Sequence, residues 1–233
     1  MTEPMQFDPQ AIEVVSFDCY GTLIDWEAGI AEYVAPRLAR AQADEARLPT
    51  VAEWVARWER IQFQMLRPYR PYREILMRSF DATMQHFGLE SFVDDGPGLV
   101  RSLADWRPFP DTVAALRRIA KKRRLAIISN IDNLLLAQTL GHLLLPFTSL
   151  STAEDAGAYK PDEKPFELAL TRIGVEPDRI LHAAFGWKYD LAPARGKGMR
   201  TAFVNRASVR PPDLPPADLE VSSLTALADL LHV

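Results

Sequence analysis

The sequence predicts an α/β fold: a parallel sheet covered by helices on both faces, with a helical segment inserted after the first strand. Three observations carry this. Short, nearly continuous apolar runs recur at 14–17, 125–128, 180–185 and 201–204, as expected for strands buried on both faces. Helical patterns lie between the later runs, so successive strands need crossovers and pair in parallel. Residues 27–105 hold apolar stripes at helical spacing and no convincing strand.

Val14-Val15-Ser16-Phe17 is the first strand. In the inserted segment, Val51, Trp54, Val55, Trp58, Ile61 and Met65 form one helical stripe, and Tyr72, Ile75, Leu76, Met84 and Phe87 another. Asp94-Asp95-Gly96-Pro97-Gly98 reads as a turn between helices. Arg107-Pro108-Phe109-Pro110-Asp111 marks the return to the core. Val113, Leu116, Arg117 and Ile119-Ala120 predict a helix before the strand Leu125-Ala126-Ile127-Ile128, which ends in Ser129-Asn130. Phe166, Ala169, Leu170 and Ile173 predict another, with Gly174 as its C-terminal cap. The strands at Ile180–Phe185 and Thr201–Val204 follow. Pro211-Pro212-Asp213-Leu214-Pro215-Pro216 reads as a surface loop, and a short helix, Leu224 to Leu231, closes the chain.

Composition narrows the function. The 233 residues carry 27 Lys+Arg against 31 Asp+Glu, a formal net charge of -4, which argues against a dedicated nucleic-acid binder. A hydrophobic fraction of 48% and a charged fraction of 25% are those of a folded globular chain. The single cysteine, Cys19, rules out an intramolecular disulfide and points to a reducing compartment. The opening MTEPMQFDPQ has no basic segment followed by an apolar run, so no signal peptide is expected. The longest apolar stretches fall far short of the ~20 residues a bilayer requires. The expectation is a soluble cytoplasmic protein with no membrane partner.

In open parallel sheets, ligands bind outside the carboxyl ends of the strands. Asp18 follows the first strand, Ser129-Asn130 end the second, and Lys160-Pro161 and Asp190 follow later in the chain. A carboxylate, a hydroxyl, an ammonium and a second carboxylate would converge on one rim. In this order, Phe17-Asp18-Cys19-Tyr20-Gly21-Thr22-Leu23, Ser129-Asn130, Lys160-Pro161 and the Asp190 of YDLAPARGKGM resemble the four motifs of the haloacid dehalogenase superfamily. The resemblance runs from Val14 to Leu231. It implies a Rossmann-like core, residues 1–26 and 106–233, with a helical cap domain at 27–105.

Position 20 bears on the chemistry. Phosphatases of this superfamily carry Asp two residues after the nucleophile, where it protonates a departing alkoxide. Tyr20 stands there instead, and a departing halide needs no proton. The chain most resembles the type II 2-haloacid dehalogenases, which act without metal on short 2-haloacids. The resemblance implies that Asp18 displaces the halogen to form an ester that water hydrolyses. Lys160 would hold Asp18 ionised, and Asp190 would hold Lys160 and orient the water. Ser129 and Thr22 would donate to carboxylates of the substrate or of Asp18. Asn130 would help hold the halide, and amides around Tyr20 and Gly21 would bind anionic groups.

Some positions depart from that pattern. Phe185 and Trp187 stand where the family has Ser and Asn, and Phe166 where it has Tyr. Aromatic groups there would desolvate Asp18 and form part of the substrate pocket. The family's cap also supplies a halide-cradling Arg, for which Arg57, Arg60, Arg67, Arg70 and Arg73 are candidates.

Plainer readings exist for each residue. Asp18, Ser129 and Asp190 could be turn or cap residues, with a second cap-like residue at Asp132, and Lys160 a solvated lysine. Cys19 should point away from the site, and His182 reads as a satisfied core histidine. Of Trp54, Trp58 and Phe63, most belong to the cap's own core, with one or two roofing the pocket. The basic run from Arg117 to Arg124 reads as a solvated helix end. The alternatives are a phosphatase, for which alone Mg²⁺ would be expected, and a non-catalytic binder of a small acid or a protein. Exposed cap aromatics would suit a homodimer.

Overall fold

The computed structural model describes residues 8–41, 48–209 and 215–233. Residues 1–7, most of the stretch in which no signal peptide is expected, and 211–214 of the predicted proline-rich loop lie outside these. One six-stranded sheet forms the centre, all parallel, in the order β3-β2-β1-β4-β5-β6. Its strands are β1 (Val14–Phe17), β2 (Arg124–Ser129), β3 (Ser149–Thr152), β4 (Ile180–Ala184), β5 (Arg200–Val204) and β6 (Leu219–Val221). The four predicted strands are all present. The two missed, β3 and β6, are the edges: SLST has no apolar run, and LEV is three residues long.

Helices α1 (Trp26–Arg40), α2 (Val51–Met65), α3 (Tyr72–His86) and α4 (Asp95–Ser102) come between β1 and β2, followed by α5 (Thr112–Ile119). Next come α6 (Asn133–Leu143), α7 (Ala153–Ala156), α8 (Lys164–Ile173), α9 (Ala192–Gly196) and α10 (Leu224–Leu230). The sheet's alternation sorts these into two layers. Val15, Phe17, Leu125, Ile127 and Leu181 pack with Leu116 of α5, Leu136 of α6 and Leu227 of α10. On the other face, Val14, Ala126, Ile128 and Ile180 pack with Phe166, Ala169 and Ile173 of α8. Burying each such side chain stabilises the fold by roughly 1.5–3 kcal/mol. α8 ends at Gly174, a left-handed cap as predicted.

The segment predicted as a turn at 94–98 is instead the start of α4. Pro97 occupies the helix's first turn, where an amide would have no intrahelical acceptor. Asp95 anchors that end: its buried carboxylate takes Arg37 Nε (3.1 Å) and Arg40 Nη2 (2.9 Å) from α1 and accepts from the Phe92 amide (2.9 Å). The basic run at the end of α5 is not simply solvated. Arg118 pairs with Asp229 and donates to Val233 O, so it pins the C-terminal helix.

Two features join the helical segment to the sheet. The chain leaves and returns through an isolated antiparallel bridge between Ile24 and Pro108: the Asp25 amide donates to Arg107 O (2.9 Å) and the Phe109 amide to Leu23 O (3.1 Å). Farther along, Asp132, expected to cap its own helix α6, makes no such bond. Its carboxylate instead accepts from the Tyr72 (2.7 Å) and Arg73 (2.9 Å) amides, capping α3, whose own N-cap is a proline. A buried carboxylate from the core thus orients a helix of the inserted segment.

Candidate active site

The strand order reverses direction at β1: the chain steps outward to β2 and β3, then crosses to β4 on the other side. At this switch point the carboxyl ends of β1, β2 and β4 open onto a cavity of about 380 Å³. Asp18, Ser129, Lys160 and Asp190 line its floor. Tyr20, Asn130, Phe185 and Trp187 line it too, while Gly21 and Thr22 lie behind the surface.

Lys160 is the centre of the floor. Its side chain is 2% exposed, yet its ammonium is fully engaged. Nζ donates to Asp18 Oδ1 (2.8 Å), to the Ile128 carbonyl (2.8 Å) and to Asp190 Oδ1. An ammonium has three protons, so none is left over. The peptide that carries Lys160 is held by Asn130, whose carboxamide both accepts from Lys160 N (2.7 Å) and donates to Lys160 O (3.1 Å). Asn130 thus uses its carbonyl oxygen and one of its two N–H groups to hold Lys160, and its side chain lines the cavity.

Asp18 takes its second donor from Thr22, whose Oγ1 is 3.1 Å from Oδ2, and Thr22 in turn accepts from the Phe185 amide (3.2 Å). The Gly21 amide is used inside the turn, donating to Ile24 O (2.8 Å). Gly21 has φ +96° and a Cβ there would lie 2.5 Å from the Phe185 ring, so glycine lets that ring close over the turn. Cys19 is fully buried on the opposite face of the sheet from Asp18, and burial pushes its thiol well above its usual range.

Asp190 lies in a single π-helical turn, Trp187–Leu191, a device often found at functional sites. Behind it stands His182, wholly buried in β4. Ser16 Oγ and His182 Nδ1 are 3.0 Å apart, and Nε2 is 3.5 Å from Asp190 Oδ1. With Ser16 donating to Nδ1, the ring N–H sits on Nε2 and points at the carboxylate. His182 is a satisfied histidine, as expected, but one that supports the site. Phe166 packs edge-on against its ring, 5.7 Å away.

The charges respond to this packing. Burial raises Asp18, and the Lys160 ammonium offsets it only in part, so its carboxyl sits above its ordinary value. Burial acts upward on Asp190 as well, but Lys160 and His182 outweigh it and hold that carboxyl low. Burial opposes the Lys160 charge, but the two carboxylates prevail and its ammonium is held above its usual range. Among the described residues, no group of three or more His, Cys, Asp or Glu side chains is arranged to hold a metal ion.

The roof comes from the helical segment. Trp58 and Gln62, one turn apart on α2, face the cavity with Phe63, Tyr72 and Trp106. Phe63 stacks on Tyr189 across the mouth, ring centroids 4.7 Å apart. Trp54 is core, and Trp58 and Phe63 roof the pocket. Gln62, Glu59, Trp106 and Lys188 were missed by sequence reasoning; only Gln62, a polar break in the α2 stripe, left a trace there. Of the five candidate arginines, Arg57, Arg60, Arg67, Arg70 and Arg73, none lines the cavity. Arg57 lies against His86 and Arg73 against Asp132.

Comparison with known proteins agrees with this architecture. The model of the haloacid dehalogenase-like hydrolases matches residues 12–183. The chain is 28% identical over 207 residues to (S)-2-haloacid dehalogenase H-109 of Pseudomonas putida, covering 84% of this chain and 87% of that protein. It is 27% identical over 209 residues to the glyceraldehyde 3-phosphate phosphatase of Methanothermobacter thermautotrophicus, covering 83% and 86%. Among solved structures, the L-2-haloacid dehalogenase PA0810 superposes with a TM-score of 0.80 at 26% identity, covering 95% of this chain and 99% of that one.

Proposed function

The chain belongs to the haloacid dehalogenase-like hydrolase family, and from that premise we propose that it hydrolyses the carbon–halogen bond of short 2-haloacids to give 2-hydroxy acids. The observation that carries this is the pairing of one buried ammonium, Lys160, with two carboxylates, beside a Tyr at position 20. An Asp18 oxygen attacks the halogen-bearing carbon, the carbon–halogen bond breaks, and the halide leaves with the bonding electrons. No proton is needed. Tyr20 would be a poor acid in any case: its hydroxyl is bonded to Thr139 (2.7 Å), and burial pushes it well above its usual range.

In the second step, water attacks the carbonyl carbon of the Asp18 ester. Whichever Asp18 oxygen becomes the carbonyl keeps a donor, from Lys160 or from Thr22, to stabilise the charge that develops on it. Asp190, held ionised by Lys160, orients the water and takes its proton. The bond between the Asp18 carbonyl carbon and the substrate oxygen then breaks, that oxygen takes the proton from Asp190, and the hydroxy acid leaves; Asp18 is regenerated as its carboxylate, so one halide and one proton appear per turnover. Ser129 and the mouth lysine Lys188, both on the cavity wall, are the donors we assign to the substrate carboxylate. The reading includes a core of residues 1–26 and 106–233, a cap of residues 27–105, no metal or cofactor, a cytoplasmic location and a homodimer; size-exclusion with light scattering tests the last.

The test is halide release from both enantiomers of 2-chloropropionate with EDTA present, and a phosphoester with Mg²⁺ alongside. Metal-independent halide release that disappears in Asp18→Asn is the expected result. Phosphate release that needs Mg²⁺, with no halide, refutes the reading in favour of the phosphatase alternative.

A further inference from the structure

The cavity over Asp18 is larger and more apolar than a short 2-haloacid needs. 2-Chloropropionate has six non-hydrogen atoms. Even at the ~30 Å³ that one water takes in the liquid, six atoms fill about 180 Å³, less than half of the cavity's about 380 Å³. Much of its wall is Trp26, Trp58, Leu66, Leu103 and Trp106. Two aromatic rings on the same cavity are largely open to solvent: Phe63 is 39% exposed and Phe185 41%. We propose that the preferred substrate is a 2-haloacid with a bulky apolar substituent on C2, of the size of a benzyl group, short acids being the poorer substrates. The inference rests on the dehalogenase reading above and names its substrate class.

The wall is held in place by its own packing. Trp106 is seated on α1 at Gly29, where a Cβ would lie 2.4 Å from the indole ring, and the Tyr20 ring meets it edge-on at 6.1 Å. Trp58 packs between Trp54 and Trp26, each centroid 6.1 Å away. Rings that brace one another form a preorganised surface, which an occupant need not order on binding. The indole N–H groups of Trp58 and Trp106 are buried, so these two residues present ring carbon to the cavity. Phe185 lies against the Gly21 turn, where a Cβ would be 2.5 Å from its ring, and so brings apolar surface down beside Asp18. A substituent on the carbon that Asp18 attacks lies among these rings. Covering them removes apolar area from water, and that favours binding.

Two further charges line the cavity and sort the ends of such an acid: Glu59 and Lys188. Neither pairs with an opposite charge among the described residues. Glu59 is half-buried on α2, one turn before Phe63, and Lys188 is exposed on the Asp190 turn, next to the Tyr189 that stacks on Phe63. A carboxylate is repelled by Glu59 and drawn to Lys188. The acid head therefore lies toward Lys188 and Ser129, and the apolar wall is left to the substituent. A phosphorylated sugar of the same bulk would need hydrogen-bond partners along that wall, and Trp58, Leu66, Leu103 and Trp106 offer it ring and alkyl carbon.

The experiment measures kcat/KM for both enantiomers of 2-chloropropionate and of 2-chloro-3-phenylpropionate, which share the carboxylate and the leaving group. Calorimetry with propionate and 3-phenylpropionate, which cannot react, reads binding alone. Burial of the phenyl group predicts a kcat/KM roughly 10- to 100-fold higher for the phenyl acid, with a similar ratio in affinity. Phe63→Ala removes part of the wall and Leu66→Trp fills the space beside it, so each should cut both ratios by about threefold or more. Equal or lower kcat/KM for the phenyl acid, in a protein that cleaves 2-chloropropionate, would overturn the proposal whatever the affinities. Ratios that neither variant moves would overturn it too, because the phenyl group then lies elsewhere. If the wild type releases no halide from either acid, the dehalogenase reading fails; the affinity ratio still decides the cavity, and a ratio near one overturns it.

Discussion

Replacing Lys160 by Met removes one ammonium and keeps a similar apolar stem, so the loss is electrostatic. Lys160 Nζ serves Asp18, Asp190 and the Ile128 carbonyl. The side chains of the ion pairs are 2%, 8% and 5% exposed, so water screens little of this. Breaking a buried pair by deleting one partner costs about 3–5 kcal/mol, and here one deletion strands two carboxylates. The expected loss at pH 7 is at the upper end of that range. Its pH dependence has a definite sign. Without the ammonium, burial and mutual repulsion push both carboxyls up, so the folded state binds protons more tightly than the unfolded one. Stability of the variant then rises as pH falls from 7 toward the ordinary carboxylate value of about 4. In the wild type Asp190 is held low, so its contribution is intact above the ordinary carboxylate value and fades only below it, while Asp18, already raised, acts in the opposite sense; the variant, with both carboxyls raised, gains more over the same range. The gap between the two proteins should therefore be widest near neutrality and narrow on acidification. Urea unfolding at pH 7 and pH 5 measures it, with halide release from 2-chloropropionate, expected to vanish, run alongside. A loss below about 1 kcal/mol at pH 7, or one unchanged at pH 5, would refute the electrostatic account of Lys160.

Asp190→Asn should separate the two chemical steps: halide is still released once per active site, and the ester on Asp18 accumulates, visible as a mass increment. Because Asp190 helps raise Asp18 above its ordinary 3.8, and activity needs ionised Asp18, the acid limb of that single release should shift to lower pH; an unmoved limb contradicts the coupling. Asp132→Ala leaves the Tyr72 and Arg73 amides without their acceptor, at a cost of about 1–3 kcal/mol. Hydrogen exchange should quicken at those amides first, and exchange as slow as in the wild type would show that α3 does not depend on this cap.

The central strands and the polar residues that follow them were legible because each is local. A run such as Leu125–Ile128 declares a buried strand by itself, and Asp18, Ser129, Lys160 and Asp190 each stand beside or beyond such a run. The edges were not legible: three of the four residues of β3 are polar, and it is a strand because β2 pairs with it. The turn predicted at 94–98 failed because Asp95 is clamped by two arginines some 55 residues earlier, a contact that overrides local Gly and Pro preferences. Asp132 reads as a cap for the helix next to it and serves one 60 residues earlier instead. Of the roof, Trp58 and Phe63 were anticipated, but Gln62 and Trp106 were hidden for the same reason. Nothing near Trp106 in sequence shows that its indole closes a cavity whose floor begins at Asp18.

The bridged exit and return of the chain at Asp25 and Arg107 separate two evolutionary problems. The span to be bridged between β1 and the helix before β2 is fixed by hydrogen bonds at the base, whatever lies above. Lengthening or replacing intervening helices other than α3, which Asp132 caps, leaves the sheet's register and the Lys160 cluster untouched. It alters which groups face Asp18 from overhead. A descendant could thus inherit the floor intact and acquire new substrates by exchanging the helices above it.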